Sequence, residues 1–159
     1  MTIDTLGIVG TGDLAGAIAG RIGSRAGVRV IVHGFETSKS KKGSVERAAN
    51  LFDLASECQA VIAMYETHAL LRQALVGDAD RPGLLGAMAP GTLLVDFSGG
   101  SPDETWRLAG ALSGGAIGLV EGVIIGSPDT VRDGMARVLL GGFPTTSQTS
   151  STHCTTLGK

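Results

Sequence analysis

The chain reads Leu6-Gly-Ile-Val-Gly-Thr-Gly-Asp-Leu-Ala-Gly-Ala-Ile-Ala-Gly-Arg-Ile22 close to its amino terminus. The apolar run Leu6–Val9 predicts a buried strand, and the residues after the glycines predict a helix because apolar side chains recur at helical spacing. These helical positions are Leu14, Ile18 and Ile22. The stretch therefore predicts a strand, a glycine turn and a helix, which together form one βα unit.

The turn has the pattern Gly10-x-Gly12-x-x-Ala15, with alanine in the third position. Gly10 can turn the chain sharply out of the strand, Gly12 lets a pyrophosphate approach the backbone, and Ala15 lets the helix pack close to the sheet. The first N–H groups of the helix then face the anion. The pattern therefore predicts a dinucleotide cofactor, which we expect to contact Gly10, Thr11, Gly12, Asp13, Leu14 and Ala15. A tight βα turn without a ligand is the alternative.

Length and composition exclude several classes of function. The chain has 159 residues, enough for one domain. Its formal charge is −2, so it has no excess of positive charge that would attract nucleic acid. The apolar run Ala116–Gly126 is interrupted by Glu121 and is too short to span a membrane. No secretory signal is visible, and Cys58 and Cys154 form neither a disulfide framework nor a metal site. We expect a cytoplasmic protein without metal, nucleic-acid or membrane partners.

Strands and helices alternate along the chain, which predicts a parallel sheet covered by helices. The predicted strands are Thr5–Val9, Val28–Val32, a short one near Ala48–Leu51, Ala60–Met64, Thr92–Phe97, Ala116–Val120 and Arg137–Leu140. The predicted helices are Asp13–Arg25, His68–Val76 and Pro102 to about Leu112, with proline at the first helical position of the last. Gly141-Gly142 ends the ordered pattern.

The last segment, Phe143–Lys159, has nine Ser or Thr among seventeen residues and no apolar period, which predicts a disordered tail. Out-of-frame translation is a second interpretation. Reading the codons one base earlier would make positions 143, 147, 150, 151, 154 and 157 apolar, the stripe of an amphipathic helix. We therefore divide the chain into a dinucleotide-binding domain, 1–142, and a tail, 143–159.

The choice of dinucleotide depends on the residues after the second strand. A carboxylate there selects NAD by accepting from the ribose 2′-hydroxyl, whereas basic and hydroxyl groups accept the 2′-phosphate of NADP. Glu36 favours NAD, and Thr37, Ser38 and Lys39 favour NADP. Because Glu36 lies past the expected end of the strand, the sequence favours NADP, with NAD as the alternative.

Four segments together carry a resemblance to a known family. They are Gly7–Ala15 at the turn, Ala60–Tyr65, Gly91–Pro102 and Val120–Pro128, in the family's order and spacing. From Leu6 to about Gly142 the chain resembles the cofactor-binding half of the β-hydroxyacid dehydrogenase superfamily, which includes phosphogluconate and hydroxyisobutyrate dehydrogenases. Its pattern is most similar to that of imine reductases. The resemblance implies an α/β fold with a Rossmann-type, doubly wound, mostly parallel sheet.

The resemblance also implies roles for residues beyond the glycine turn. Met64 and Tyr65 would lie over the cofactor, and Ser98, Gly99 and Gly100 would line the nicotinamide and the substrate, with Ser98 as a hydrogen-bond donor. Val123 and Ile125 would form the floor of the substrate pocket. Hydroxyacid dehydrogenases have a Ser-Gly-Gly there, and this chain has Ile125-Gly126-Ser127. The missing serine favours an imine or another less charged substrate over a carboxylate.

Members of the family are about twice as long and carry their general acid on a helical C-terminal domain that also forms a homodimer. We expect this chain to lack that domain, to hold the cofactor of an oxidoreductase acting on a small imine or hydroxyacid, and to be inactive alone. A non-catalytic dinucleotide-binding module completed by a partner is the alternative. His33 and His68 have no recognisable Ser–Asp or Cys partner, so we expect a loop residue and a helix residue.

Overall fold

The computed structural model describes residues 3–25, 27–35 and 45–142, which form a seven-stranded sheet with helices on both faces. The strands are β1 (Thr5–Gly10), β2 (Arg29–His33), β3 (Val45–Arg47), β4 (Ala60–Met64), β5 (Leu93–Asp96), β6 (Gly118–Ile125) and β7 (Arg137–Gly142). Their order is β3-β2-β1-β4-β5-β6-β7, and only β7 is antiparallel to its neighbour. The order reverses between β1 and β4, which is where ligands bind in sheets of this type.

Two cores form because helices cover both faces of the sheet. The helices are α1 (Asp13–Gly23), α2 (Leu51–Glu57), α3 (His68–Val76), α4 (Pro102–Ser113) and α5 (Pro128–Arg132), with a single 3₁₀ turn at Leu84–Gly86. The core on one face includes Leu54, Leu71 and Leu112 of α2, α3 and α4, and the core on the other includes Ile18 of α1 and Val131 of α5. The central strands are apolar throughout because both of their faces are buried.

Most of the predicted elements are present, and the differences have local causes. The strand predicted near Ala48–Leu51 is wrong, since β3 ends at Arg47 and Asn50 caps an unpredicted helix, α2, by accepting from Asp53 N–H at 2.8 Å. Helix α5 was also not predicted, although Ser127 and Pro128 are typical of a helix start.

The sixth strand is longer than predicted. It begins at Gly118 and continues to Ile125, because β7 pairs with it from Val120 onward. Helix α1 ends at Gly23, two residues before the predicted end at Arg25. The predictions for the tail, 143–159, fall outside the described residues. Among the described helices, none is long and apolar enough to cross a bilayer.

Candidate functional site

The glycine turn between β1 and α1 has the geometry that its sequence predicts. Gly10 has φ +144°, and a Cβ there would overlap the carbonyl oxygen of Met64 at the end of β4. That same oxygen accepts from Thr11 N–H at 3.1 Å, which holds the turn against β4. Gly12 has φ +88°, and a Cβ there would meet nothing within 4 Å. The space in front of Gly12 is therefore open to a ligand at the carboxyl edge of the sheet.

The amino terminus of α1 differs from those of the other described α-helices. Helices α2, α3, α4 and α5 each begin with a side-chain cap, from Asn50, Thr67, Ser101 and Ser127. Helix α1 begins after Gly12 and has no side-chain cap. The first N–H groups of a helix have no partner within the helix. In α1 they point to the opening where Thr11, Gly12 and Asp13 are exposed, and an anion is the partner they suit.

An ion pair joins this turn to helix α5. The Arg132 guanidinium at the end of α5 pairs with the carboxylate of Asp13 and, at 2.7 Å, with that of Asp129. These hydrogen bonds, that to Asp13 first, raise the pKa of Arg132. Leu14 is half-buried, and Ala15 is fully buried against the sheet, as the close approach of helix and sheet requires.

The carboxyl ends of β2 and β3 lie side by side, and an arginine that the sequence analysis did not single out puts a positive charge there. Arg47 is the last residue of β3, is paired in register with Val32, and donates from Nη2 to the Phe35 carbonyl at 2.9 Å. Burial, and next the charge of Arg47, lower the pKa of His33, so this imidazole is neutral at neutral pH. The predicted ribose-reading residues Thr37, Ser38 and Lys39 lie outside the described residues, as does Glu36.

Met64, the last residue of β4, and Tyr65, the first residue after it, have different environments. The Met64 side chain is only 7% exposed and packs in the core on the α1 face. Met64 thus supports the glycine turn, and a side-chain contact with the cofactor stays a prediction. Tyr65 is half-buried and lines a cleft of about 350 Å³ together with His33, Asn50 and Leu51. Burial raises the pKa of the Tyr65 phenol to about 12, so it is neutral there.

The loop after β5 is tied to the loop after β4. Ser98 Oγ accepts from Tyr65 N–H at 3.1 Å, which leaves the serine proton available for donation. His68 N–H donates to the Gly99 carbonyl at 2.9 Å, and Asp96 Oδ1 accepts from Ser98 N–H at 2.7 Å. Ser98 is half-buried, whereas Gly99 and Gly100 are exposed at the carboxyl edge. The structure therefore brings Tyr65 and the Ser98–Gly100 loop together.

The two residues expected in the pocket floor lie on a strand rather than in a loop. Strand β6 extends beyond β5, whose last partner is Glu121, so Gly122–Ile125 pairs only with β7. Val123 and Ile125 are 56% and 53% exposed on one face of this extension. They form an apolar wall on the part of β6 that extends past β5, and their role as a substrate floor stays a prediction.

Sequence reasoning missed three residues at this edge: Arg47, Arg132 and Asp96. Arg47 could have been found as the cation that stands three residues before the Asn50 cap, after Val45 and Glu46. The contact between Asp96 and His68 joins two elements 28 positions apart in the chain (96 − 68), and no local spacing signals it. His68 lies in α3, as expected of a helix residue, and its Nε2 is 3.0 Å from Asp96 Oδ2. The expectation that His33 is a loop residue is wrong, because it is the last residue of β2.

Comparison with known proteins gives one family match. Residues 5–159 match the NAD binding domain of 6-phosphogluconate dehydrogenase. No curated protein matches the chain as a whole at a significant level.

Several solved structures share the fold at low sequence identity. A 3-hydroxyisobutyrate dehydrogenase from Salmonella typhimurium is 22% identical, with a TM-score of 0.69 over 86% of this chain and 47% of that chain. An imine reductase variant from Myxococcus stipitatus in complex with NAD+ is 20% identical, with a TM-score of 0.70 over 88% and 46%. A reductive aminase from Aspergillus terreus in complex with NADPH and ethyl-5-oxohexanoate is 22% identical, with a TM-score of 0.66 over 89% and 48%. The chain thus spans about half the length of each of these proteins.

Proposed function

Because the chain belongs to the family of the NAD binding domain of 6-phosphogluconate dehydrogenase, we propose that it holds a nicotinamide dinucleotide, preferentially NADP, for an oxidoreductase reaction. The observation that carries the proposal is the uncapped amino terminus of α1 behind the open space at Gly12. A pyrophosphate there would accept from the first N–H groups of α1 and gain from the helix dipole.

The adenosine end would lie on the other side of the strand-order reversal from the nicotinamide. The cleft between His33 and Tyr65 has room for an adenosine, and Arg47 places a positive charge beside the end of β2. A guanidinium suits a ribose 2′-phosphate because charge-assisted hydrogen bonds to phosphate are strong. Arg47, together with the sequence of Thr37, Ser38 and Lys39, supports NADP over NAD.

The nicotinamide end would lie over the Ser98–Gly100 loop. When bound, the nicotinamide supplies or accepts a hydride. The chain's own contribution is to orient the reacting groups: Ser98 Oγ holds a proton that it can donate to a ligand, and Val123 and Ile125 exclude water on one side. This apolar wall favours a small imine or carbonyl substrate. We propose that the proton for the substrate heteroatom comes from outside these 159 residues, so the isolated chain binds dinucleotide with little turnover.

A pair of glycine variants tests dinucleotide binding at the turn. Gly12 and Gly91 have φ +88° and +89°, and a Cβ at either position meets nothing within 4 Å. Each alanine variant therefore places an L side chain at positive φ without a steric overlap, and thermal unfolding measures what each costs in stability. Gly91 lies at the opposite edge of the sheet, before β5, so only Gly12→Ala puts a methyl group where the pyrophosphate would bind.

The measurement is a fluorescence titration with NADPH and NADH, combined with thermal unfolding and a turnover assay on a panel of imines and hydroxyacids. We expect the wild type and Gly91→Ala to bind NADPH more tightly than NADH, and Gly12→Ala to lose at least about tenfold in affinity for both. Equal affinities of the two glycine variants would rule out binding at this turn. Turnover by the isolated chain would show that the proton donor lies within it.

A further inference from the structure

A buried carboxylate and a buried imidazole lie directly beneath the Ser98–Gly100 loop. Asp96 is 1% exposed at the end of β5, and His68 is 5% exposed in the first turn of α3. The His68 Nε2 and Asp96 Oδ2 atoms are 3.0 Å apart. Neither atom has an aligned hydrogen-bond partner within the described part of the chain, so each is the nearest electrostatic partner of the other.

The two oxygens of Asp96 have different partners. Oδ1 accepts from Ser98 N–H at 2.7 Å, and Oδ2 faces the imidazole. A carboxylate this deeply buried is strongly unfavourable unless other groups compensate its charge. The His68 imidazole therefore faces one oxygen of the buried carboxylate, while the other oxygen holds the Ser98 backbone.

His68 also contacts the loop directly on two sides. Its backbone N–H donates to the Gly99 carbonyl at 2.9 Å, and a Cβ at Gly100 would overlap the imidazole ring. Tyr65 closes the arrangement, because its N–H donates to Ser98 Oγ and its carbonyl accepts from Gly99 N–H at 3.4 Å. Two loops that would contact the nicotinamide are thus locked to each other through His68 and Asp96.

From this arrangement we propose that His68 is a positioning residue: through Asp96 it fixes the Ser98–Gly100 loop in the position that binds the nicotinamide half of the dinucleotide. The inference rests on the proposed function, because it presumes that a dinucleotide binds along this edge. It predicts that the loss of His68 affects only one half of the ligand. The pyrophosphate and adenosine groups bind at α1 and β2, which His68 does not touch.

The test compares a whole ligand with a fragment. NADPH reports on both halves, and its nicotinamide fluorescence depends on the environment of the ring. The fragment 2′-phospho-ADP-ribose has the adenosine and pyrophosphate groups without the nicotinamide. His68→Leu removes the imidazole, and His68→Gln keeps a donor at the position of Nε2. Thr92→Val is the matched control, since Thr92 is 3% exposed and directly precedes the same strand, β5.

We expect His68→Leu to bind NADPH about tenfold or more weakly, because the polar group that faces the buried Asp96 carboxylate is lost and the Ser98–Gly100 loop is then held less firmly. Its affinity for the fragment should change less than about twofold, and the emission of bound NADPH should move toward that of free NADPH. His68→Gln should recover most of the affinity, and Thr92→Val should bind both ligands like the wild type.

Other results would overturn the proposal. Unchanged NADPH affinity and emission in His68→Leu would exclude a positioning role, and an equal loss for NADPH and the fragment would indicate a general structural role. If His68→Leu does not fold, Asp96→Asn decides, because it keeps the acceptor for Ser98 N–H and removes the charge. Asp96→Asn should weaken the binding of NADPH and leave that of the fragment unchanged. If it affected both ligands equally, or neither, the inference would be contradicted. Failure of the wild type to bind the fragment would instead contradict the proposed function.

Discussion

At the scale of single residues, the choice between the two dinucleotides depends on a cation at the end of β3. Arg47 reaches across the carboxyl end of β2 to the Phe35 carbonyl, beside the neutral imidazole of His33. A neutral His33 adds no positive charge, so Arg47 is the charged group that the described residues place there. A 2′-phosphate would gain from this charge, whereas a 2′-hydroxyl would gain little.

Replacing this arginine should change the selectivity of binding. In Arg47→Gln, we expect the affinity for NADPH to fall about tenfold, because a charge-assisted contact is lost, and the affinity for NADH to stay within about twofold. Fluorescence titrations with the two cofactors measure the ratio.

Arg29→Gln is the matched control for this prediction. Arg29 begins β2 at the opposite edge of the sheet, where it pairs with Glu46 and Glu57. Its loss should leave the ratio of the two affinities unchanged. If Arg47→Gln and Arg29→Gln had the same effect on the ratio, Arg47 would not read the 2′-phosphate.

At the scale of elements, α4 begins immediately after the Ser98–Gly100 loop and anchors it. Ser101 Oγ accepts from Glu104 N–H, and the Glu104 carboxylate accepts from Ser101 N–H at 2.9 Å, which forms a capping box. The hydrogen bond from the Ser101 backbone, and next that from its side chain, lower the pKa of Glu104. The ionised carboxylate therefore stabilises the start of the helix.

This capping box makes a specific contribution to the pH dependence of stability. Because the folded pKa of Glu104 lies below its unfolded value, the contribution is complete above the unfolded pKa and is lost as the pH falls through the folded pKa. We expect Glu104→Gln to be less stable than the wild type at neutral pH, and the difference to shrink on acidification. Urea unfolding followed by circular dichroism at several pH values measures this. A difference that is constant from neutral to acidic pH would contradict it.

The contact between α1 and α5 has a consequence for binding as well as for packing. Asp13 puts a negative charge in the first turn of α1, where a pyrophosphate would bind, and Arg132 offsets that charge. In Arg132→Ala, we expect weaker dinucleotide binding because Asp13 then repels the phosphates, with an effect that salt reduces. Stability should change little, because the pair is solvent-exposed.

A double-mutant cycle tests this explanation. Adding Asp13→Asn to Arg132→Ala should restore most of the lost affinity, since the repelling charge is then absent. Titrations at low and high salt give the four affinities of the cycle. If the double variant bound as weakly as Arg132→Ala alone, electrostatic compensation of Asp13 could not explain the effect.

At the scale of the whole molecule, a bound dinucleotide should stabilise the folded domain by mass action. A ligand at 100 times its Kd adds about 2.7 kcal/mol, which corresponds to about 5–10 °C in Tm for a domain of this size. We expect NADPH at 100 times the wild-type Kd to raise the Tm of the wild type by this amount, and that of Gly12→Ala by about half of it or less at the same concentration. Differential scanning fluorimetry over a range of NADPH concentrations checks this, and a Tm that is independent of NADPH would contradict it.

The sequence predicts the centre of this molecule better than its edges. Strands β1 and β4 and helix α3 follow from long apolar runs or regular spacing, and the structure places them within one residue of the predictions. Helix α2 was missed because its seven residues are too short for a clear period, and the length of β6 depends on pairing with β7. The glycine turn is a local motif, whereas the contact between His68 and Asp96 exists only after the sheet has formed.

The bare first turn of α1 has a consequence for how folding and ligand binding are related. Four α-helices of the described chain have an amino-terminal cap from a side chain of the protein, and α1 has none. The first turn of a helix without a cap frays readily. The first turn of α1 would therefore become fully ordered only when it contacts a phosphate. A bound phosphate would take the place of the missing side-chain cap, so ligand binding would also complete the folding of α1.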